Sequence, residues 1–266
     1  MAKPAGSACN LDCAYCFYLS KRVLPGGPGS GHMPDEVLQR FVKDYIDSVT
    51  SDEVVFSWQG GEPTLLGLEF FEKVVTLQAK HAKPGQRIEN DLQTNGTLLD
   101  DDWARFLKQH RFLVGLSIDG PREIHDHCRI TKHAEPTLDQ VFAAAKTLQK
   151  HGVRFNTLTC VHRYNASRPL DVYRFLRREI GSTYIQFIPI VEIRGFENMA
   201  PGTWDEAKLP MLGDPRCHPD HPESVVTPWS VAAEEYGYFL SKIWDEWQAR
   251  DVGKVHVDLF ETAIAQ

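Results

Sequence analysis

Cys9, Cys13 and Cys16 fall within eight residues, in the spacing CxxxCxxC. Thiols this crowded, in a chain whose first residues show no secretion signal, read as metal ligands before they read as disulfides. Three thiolates on one short loop suit three irons of a 4Fe–4S cube, which leaves the fourth iron without a protein ligand. An open iron can act on a bound molecule rather than only relay electrons. Structural zinc is the alternative, but zinc takes four ligands and this run offers three. Cys217, His218 and His221 would have to complete such a site.

Other residues carry chemistry of their own. Gly60-Gly61-Glu62 joins two residues that admit close backbone approach to an anion that suits an ammonium group. It also reads as a plain turn. Ser117-Ile118-Asp119-Gly120, read alone, is a strand-ending turn capped by Asp119. Arg129, read alone, is one half of a surface ion pair. Cys160 reads as a small buried residue in a strand, and the loop around Cys217 as ordinary surface.

The surrounding elements must position these residues. Strand-like runs occupy 54–58, 88–93, 112–118, 155–161, 184–190 and 254–260. Helical patterns cover 34–49, 68–81, 100–110, 136–151, 169–180 and 231–250. Pro25 to Gly31 reads as a loop, and 192–227 as irregular. Such β–α alternation predicts an α/β fold with a parallel sheet, doubly wound or closed toward a barrel. In barrels the chemistry sits at the C-terminal strand ends. Gly60–Glu62, Thr94, Asn95, Ser117, Asp119 and Gln186 are expected there. Composition agrees: 42% hydrophobic and 24% charged residues are globular values. The net charge of −7 argues against a general affinity for nucleic acid or anionic membrane. No apolar run approaches the ~20 residues of a membrane helix. Cysteine usage points to a reducing, cytoplasmic location.

Five blocks share order and spacing with a known family. They are Lys3 through Leu11 leading into the cysteines and Cys16-Phe17-Tyr18, Trp58 through Leu65 (WQGGEPTL), Leu92 through Leu98 (LQTNGTL), Val114 through Pro121 (VGLSIDGP), and Ile124-His125-Asp126 leading to Arg129. Together they resemble the radical S-adenosylmethionine (SAM) superfamily, and within it the anaerobic sulfatase-maturating enzymes of SPASM type. The resemblance implies a partial (β/α)6 TIM-like barrel that binds a 4Fe–4S cluster and SAM. It implies that Cys9, Cys13 and Cys16 hold the cluster, and that Tyr15, Gly60, Gly61, Glu62, Ser117, Arg129 and Val191 contact SAM. Tyr18 and Gln59 are expected to face the substrate.

The implied activity is oxidation of a Ser or Cys of a sulfatase polypeptide to formylglycine, through a 5′-deoxyadenosyl radical. A flavodoxin or ferredoxin would donate electrons. Proton removal requires a base, and Glu261 stands where the family has an aspartate; Asp258 is the alternative. The family continues into a C-terminal domain with two auxiliary clusters, whose cysteines this sequence lacks. The expectation is a truncated chain, with a core barrel at 1–227 and a bridging helix and strand at 228–266. The competing readings are a related peptide-crosslinking or thioether-forming enzyme, and a non-catalytic metal-cluster scaffold.

Overall fold

The computed structural model describes residues 1–16, 18, 32–195, 210–211 and 213–264. Phe17, the predicted loop at Pro25 to Gly31, and part of the predicted irregular segment at 192–227 lie outside the described residues. Two compact units are present. Unit 1 comprises Met1–Leu11, Leu24–Ser117 and Asp139–Phe155, and unit 2 comprises Asp12–Val23, Ile118–Leu138 and Asn156–Gln266. Residues on both sides of position 227 belong to unit 2.

Unit 1 contains α1 (Asp35–Ser48), β1 (Glu53–Trp58), α2 (Gly67–His81), β2 (Arg87–Thr94), α3 (Asp101–Gln109) and β3 (Leu113–Ser117). The three strands pair in parallel, in chain order. Strand β1 buries Val54, Phe56 and Trp58 on alternate positions, as the two-residue side-chain period requires. Helix α1 meets this core with Leu38, Val42 and Ile46, one helical stripe at four-residue spacing. Helices α2 and α3 add Phe71, Val74, Ala104 and Leu107. Trp58 donates its indole N–H to Asn90 Oδ1 (2.8 Å), and Asn90 exchanges two hydrogen bonds with Gln78, so this buried polar group is satisfied. Asp100 caps α3 by accepting from Trp103 N (2.9 Å), and Asp101 and Asp102 follow in the first turn, where the helix dipole favours anions. At the start of the chain Ala2 bridges Trp58 in parallel. Ala2 N donates to Ser57 O and Gln59 N to Ala2 O.

Helix α4 (Arg122–Cys128) lies in unit 2, and α5 (Leu138–Lys150) lies in unit 1 apart from its first residue. Unit 2 continues with β4 (Phe155–Val161, whose first residue belongs to unit 1), α6 (Arg163–Ala166), α7 (Pro169–Arg174), β5 (Tyr184–Pro189), α8 (Ala233–Arg250), β6 (His256–Val257) and α9 (Asp258–Ile264). Strands β4, β5 and β6 are parallel neighbours. Phe187, Phe239, Ile243, Trp247, Val257 and Phe260 bury their side chains in this unit. Arg174 forks onto Glu246, and Trp247 donates to Val255 O (2.6 Å).

Several expectations are corrected in detail. The strand expected at 254–260 is two residues long, and Asp258 opens a helix instead. Acidic residues in its first turn favour that start, and Phe260 packs on Trp244 and Trp247. The helix expected at 169–180 is α-helical only to Arg174; a π-helical turn, Phe175–Ile180, completes it. The helix expected from 136 starts at Leu138, because Asp126 Oδ1 accepts from both Thr137 N and Leu138 N. Gln186 is the third residue of β5, not its end. Helices α4 and α6 were not expected. Among the described residues no helix is long and apolar enough to cross a membrane.

Candidate functional site

In unit 1 the segment that carries Cys9 is packed backbone to backbone on the Gly-Gly-Glu turn after β1. Gly61 N donates to Gly6 O (2.9 Å) and Glu62 N to Ala8 O (2.7 Å). The approach leaves no room for a side chain. A Cβ on Gly61 would lie 2.0 Å from Ala8 O, and one on Gly60, whose φ is +125°, would lie 2.8 Å from Gly6 O. The glycines therefore already have a task within the protein, which is to seat the chain that leads to Cys9.

Glu62 is fully buried and fully engaged. Its Oε1 accepts from Thr64 N (3.0 Å), Thr64 Oγ1 (2.7 Å) and Thr94 Oγ1 (2.7 Å), and its Oε2 from Asn95 N (2.7 Å). All four donors are neutral. Burial pushes its carboxyl pKa above the ordinary value, and the hydrogen bonds from Asn95, Thr64 and Thr94 offset this only in part. Asn95, fixed at the end of β2, donates from Nδ2 to Asn10 Oδ1 (2.9 Å) and to Cys9 Sγ (3.8 Å). Leu11 N also points at that sulfur (3.4 Å). Asn10 donates to Thr97 Oγ1 (2.8 Å), and Thr97 donates to Asn95 Oδ1 (2.8 Å), which closes the ring. The sulfur thus faces two N–H groups and itself stands 3.9 Å from Asn10 Oδ1. Ser117 is buried at the last position of β3, and Gln59 is half-buried.

In unit 2 the rest of the cysteine run lies along residues 128–130. Asp12 N donates to Ile130 O and Ala14 N to Cys128 O, both at 2.9 Å, and Cys16 N closes a turn on Cys13 O (3.0 Å). Cys13 is buried and Cys16 half-buried. Tyr15 donates its hydroxyl to Asp119 Oδ2. Asp119 has no exposed surface and is the hub of this unit. Arg129 reaches it twice, Nε to Oδ2 (2.9 Å) and Nη2 to Oδ1 (3.2 Å), and Cys160 N donates to Oδ1 (3.0 Å). Burial alone would raise the Asp119 pKa, but Arg129, His162 and His125 outweigh it and hold the carboxyl below its ordinary value. Burial opposes the charge on Arg129 too, yet Asp119 keeps its pKa well above the usual range. Burial also pushes the Tyr15 hydroxyl well up, and the Cys128 and Cys160 thiols up to about 12.

No disulfide joins the six cysteines. Among the described residues no three His, Cys, Asp or Glu side chains are grouped to hold a metal ion, neither Cys9, Cys13 and Cys16 nor the Cys217, His218 and His221 that the zinc alternative would add to them. Cys217 lies exposed in a short turn, Pro215–Cys217.

A model of the radical SAM superfamily matches residues 4–176, which covers both the Cys9 segment and the Asp119 hub. The chain belongs to the radical SAM superfamily. It is 41% identical over 265 residues, all of its own length and 61% of the relative's, to a serine-type anaerobic sulfatase-maturating enzyme of Bacteroides thetaiotaomicron. To a cysteine-type anaerobic sulfatase-maturating enzyme of Clostridium perfringens it is 44% identical over 214 residues, 79% of this chain and 57% of that one. In three dimensions it resembles native anSMEcpe with bound AdoMet and Cp18Cys peptide, with a TM-score of 0.78 and 36% identity over 97% of this chain and 62% of that one. The chain thus spans about six-tenths of the length of these relatives. The structural likeness bears out the expected α/β fold of the partial (β/α)6 kind.

The residues expected to serve this radical SAM protein fall into two groups. Gly60, Gly61, Glu62 and Cys9 are brought together in unit 1, and Tyr15 and Arg129 in unit 2. Val191 follows β5 and is 63% exposed. Tyr18 is half-buried. Glu261 joins neither group: it pairs with His256 (3.2 Å), which stands beside Tyr184 at the N-terminal end of β5. Asp258 accepts from the Tyr184 hydroxyl (3.0 Å). Sequence reasoning gave no role to Asn10, Thr97, His125 and His162, and placed Asp119 at a strand end as a turn cap without its partners. His125 accepts Asp119 N at Nδ1 (3.3 Å) and meets Thr137 Oγ1 at Nε2 (3.1 Å). Thr137 in turn donates to Arg129 O (2.7 Å). His125 is therefore the neutral Nε2–H tautomer, and burial brings its pKa down to about 4.

Proposed function

We propose that this chain carries the SAM-cleaving core of a peptide maturase that oxidises a Ser or Cys of a sulfatase polypeptide to formylglycine. The observation that carries the proposal is the alignment of the entire chain with a serine-type sulfatase-maturating enzyme. The cysteine-type relative extends it to both target side chains. Cys9, Cys13 and Cys16 would hold a 4Fe–4S cluster. The fit rests on the Cys9 sulfur, which faces the N–H groups of Leu11 and Asn95, donors that suit a metal-bound sulfur. Bound there, the cluster would supply one-electron reducing chemistry toward SAM.

The chain's own residues bind and orient. Glu62 is occupied by four protein donors, so SAM's ammonium would find its acceptors in the backbone carbonyls of the Gly60-Gly61 turn. Arg129 would receive SAM's carboxylate, Tyr15 and Val191 the adenosine, and Ser117 a further polar group of SAM. Gln59 and Tyr18 would face the peptide. Glu261 and Asp258 remain the candidate bases, and each would first have to release the partner it holds, His256 or Tyr184. A small electron carrier would serve as reductant in a reducing compartment.

The test is anaerobic reconstitution, reduction, and incubation with SAM and a sulfatase-type peptide containing Ser or Cys. The expected result is 5′-deoxyadenosine together with a peptide aldehyde found by mass spectrometry. An intact cluster that yields no 5′-deoxyadenosine overturns the reading, and a crosslinked or thioether product assigns the chain to a different peptide modification.

A further inference from the structure

His162 caps α6 and has no exposed surface. Its Nδ1 accepts from Tyr164 N (3.2 Å), so the ring proton sits on Nε2. That Nε2 is buried and has no hydrogen-bond partner among the described residues. Buried donors are almost always paired, so an exception calls for an explanation. The nearest acceptor is Asp119 Oδ2, at 3.9 Å. This oxygen already accepts from Tyr15 and from Arg129 Nε, which fills its two lone-pair positions. His162 and Arg129 therefore compete for one site. The ring is held between two aromatic neighbours, tilted against Tyr15 at 5.2 Å and edge-on to Tyr164 at 5.8 Å. A movement of about 1 Å would bring Nε2 within hydrogen-bond range of the carboxylate.

We propose that His162 is a positioning residue whose Nε2–H takes the place of Arg129 on Asp119 Oδ2 when Arg129 turns to the carboxylate of bound SAM. The inference rests on the reading that Arg129 receives that carboxylate. Without such a substitute, drawing Arg129 away would leave a fully buried carboxylate short of a donor, and binding would bear that cost. With it, the guanidinium is held in place in the empty protein and released without penalty to Tyr15 or the cysteine run.

The experiment measures the SAM dissociation constant by calorimetry on anaerobically purified protein of matched iron content. His162→Phe, which removes the donor and keeps the ring, weakens SAM binding about tenfold, and the loss appears more in KM for SAM than in kcat. His162→Gln, which keeps an N–H, stays within about threefold of the original protein. His162→Ala binds weakly and is rescued by added imidazole, which decides the matter should the Phe variant fold poorly. SAM binding by the Phe and Ala variants as tight as in the original protein overturns the proposal. An Arg129→Gln variant with undiminished SAM affinity would instead remove the underlying reading of Arg129.

Discussion

Glu62 and Asp119 are both fully buried carboxylates just beyond strand ends, the first in unit 1 after β1, the second in unit 2 after β3. Each accepts four hydrogen bonds, yet their acidities move in opposite directions. Glu62 is surrounded by two backbone amides and two threonine hydroxyls, and burial wins. Asp119 has a guanidinium on both oxygens, and the cation wins. The number of hydrogen bonds does not set the ionisation of a buried acid; the charge behind the donors does. Glu62 ties a turn to a strand end, while Asp119 holds a cation in place.

The strongest break of this comparison is Asp119→Asn. It strands a buried guanidinium, and the expected loss is about 3–5 kcal/mol of unfolding free energy in denaturant titration. Replacing both partners, Asp119→Leu with Arg129→Met, should recover most of it, since no charge is then left buried. A loss for Asp119→Asn no larger than that of a surface change would remove the distinction. Glu62→Gln comes next, at about 1–3 kcal/mol, because the amide turns one donor-facing oxygen into a donor but strands no ion.

The pH dependence then sharpens the contrast by its sign. The pKa of Asp119 in the folded protein is lowered, so its contribution is present above the ordinary 3.8 and is lost as pH falls through the folded value. That of Glu62 is raised, so its contribution is full below the ordinary 4.5 and is lost as pH rises through the folded value. Denaturation curves across acid pH should therefore flatten below 3.8 in Asp119→Asn and above 4.5 in Glu62→Gln. The smallest effect is reserved for an exposed control. Glu261 is 40% exposed on its side chain, and Glu261→Gln should change stability by less than about 0.5 kcal/mol.

Local patterns made much of this legible in advance. Alternating burial in β1 and the four-residue stripe of α1 follow from the residue order alone, and so does the crowding of three cysteines. The Asp119 hub was not legible, because Tyr15, Asp119, Arg129 and His162 are distant in sequence and meet only when the fold brings them together. His162 follows an apolar strand and gives no sign of its surroundings. Glu62 was visible as an acid after two glycines, but its four donors come from residues 64, 94 and 95 and turn an expected ligand contact into a buried anchor. The extra helix α9 was obscured by a β-rich run, Val255 through Phe260, whose last apolar residue packs at helical spacing instead.

Ala2 lies along the outer side of β1, and the Tyr45 hydroxyl covers Val55 O on the same strand (3.0 Å). Between them they occupy main-chain groups that would otherwise be open to pairing with a foreign strand. The segment that leads to Cys9 therefore also covers part of this strand's pairing edge. Detaching it would uncover those main-chain groups as a template for pairing.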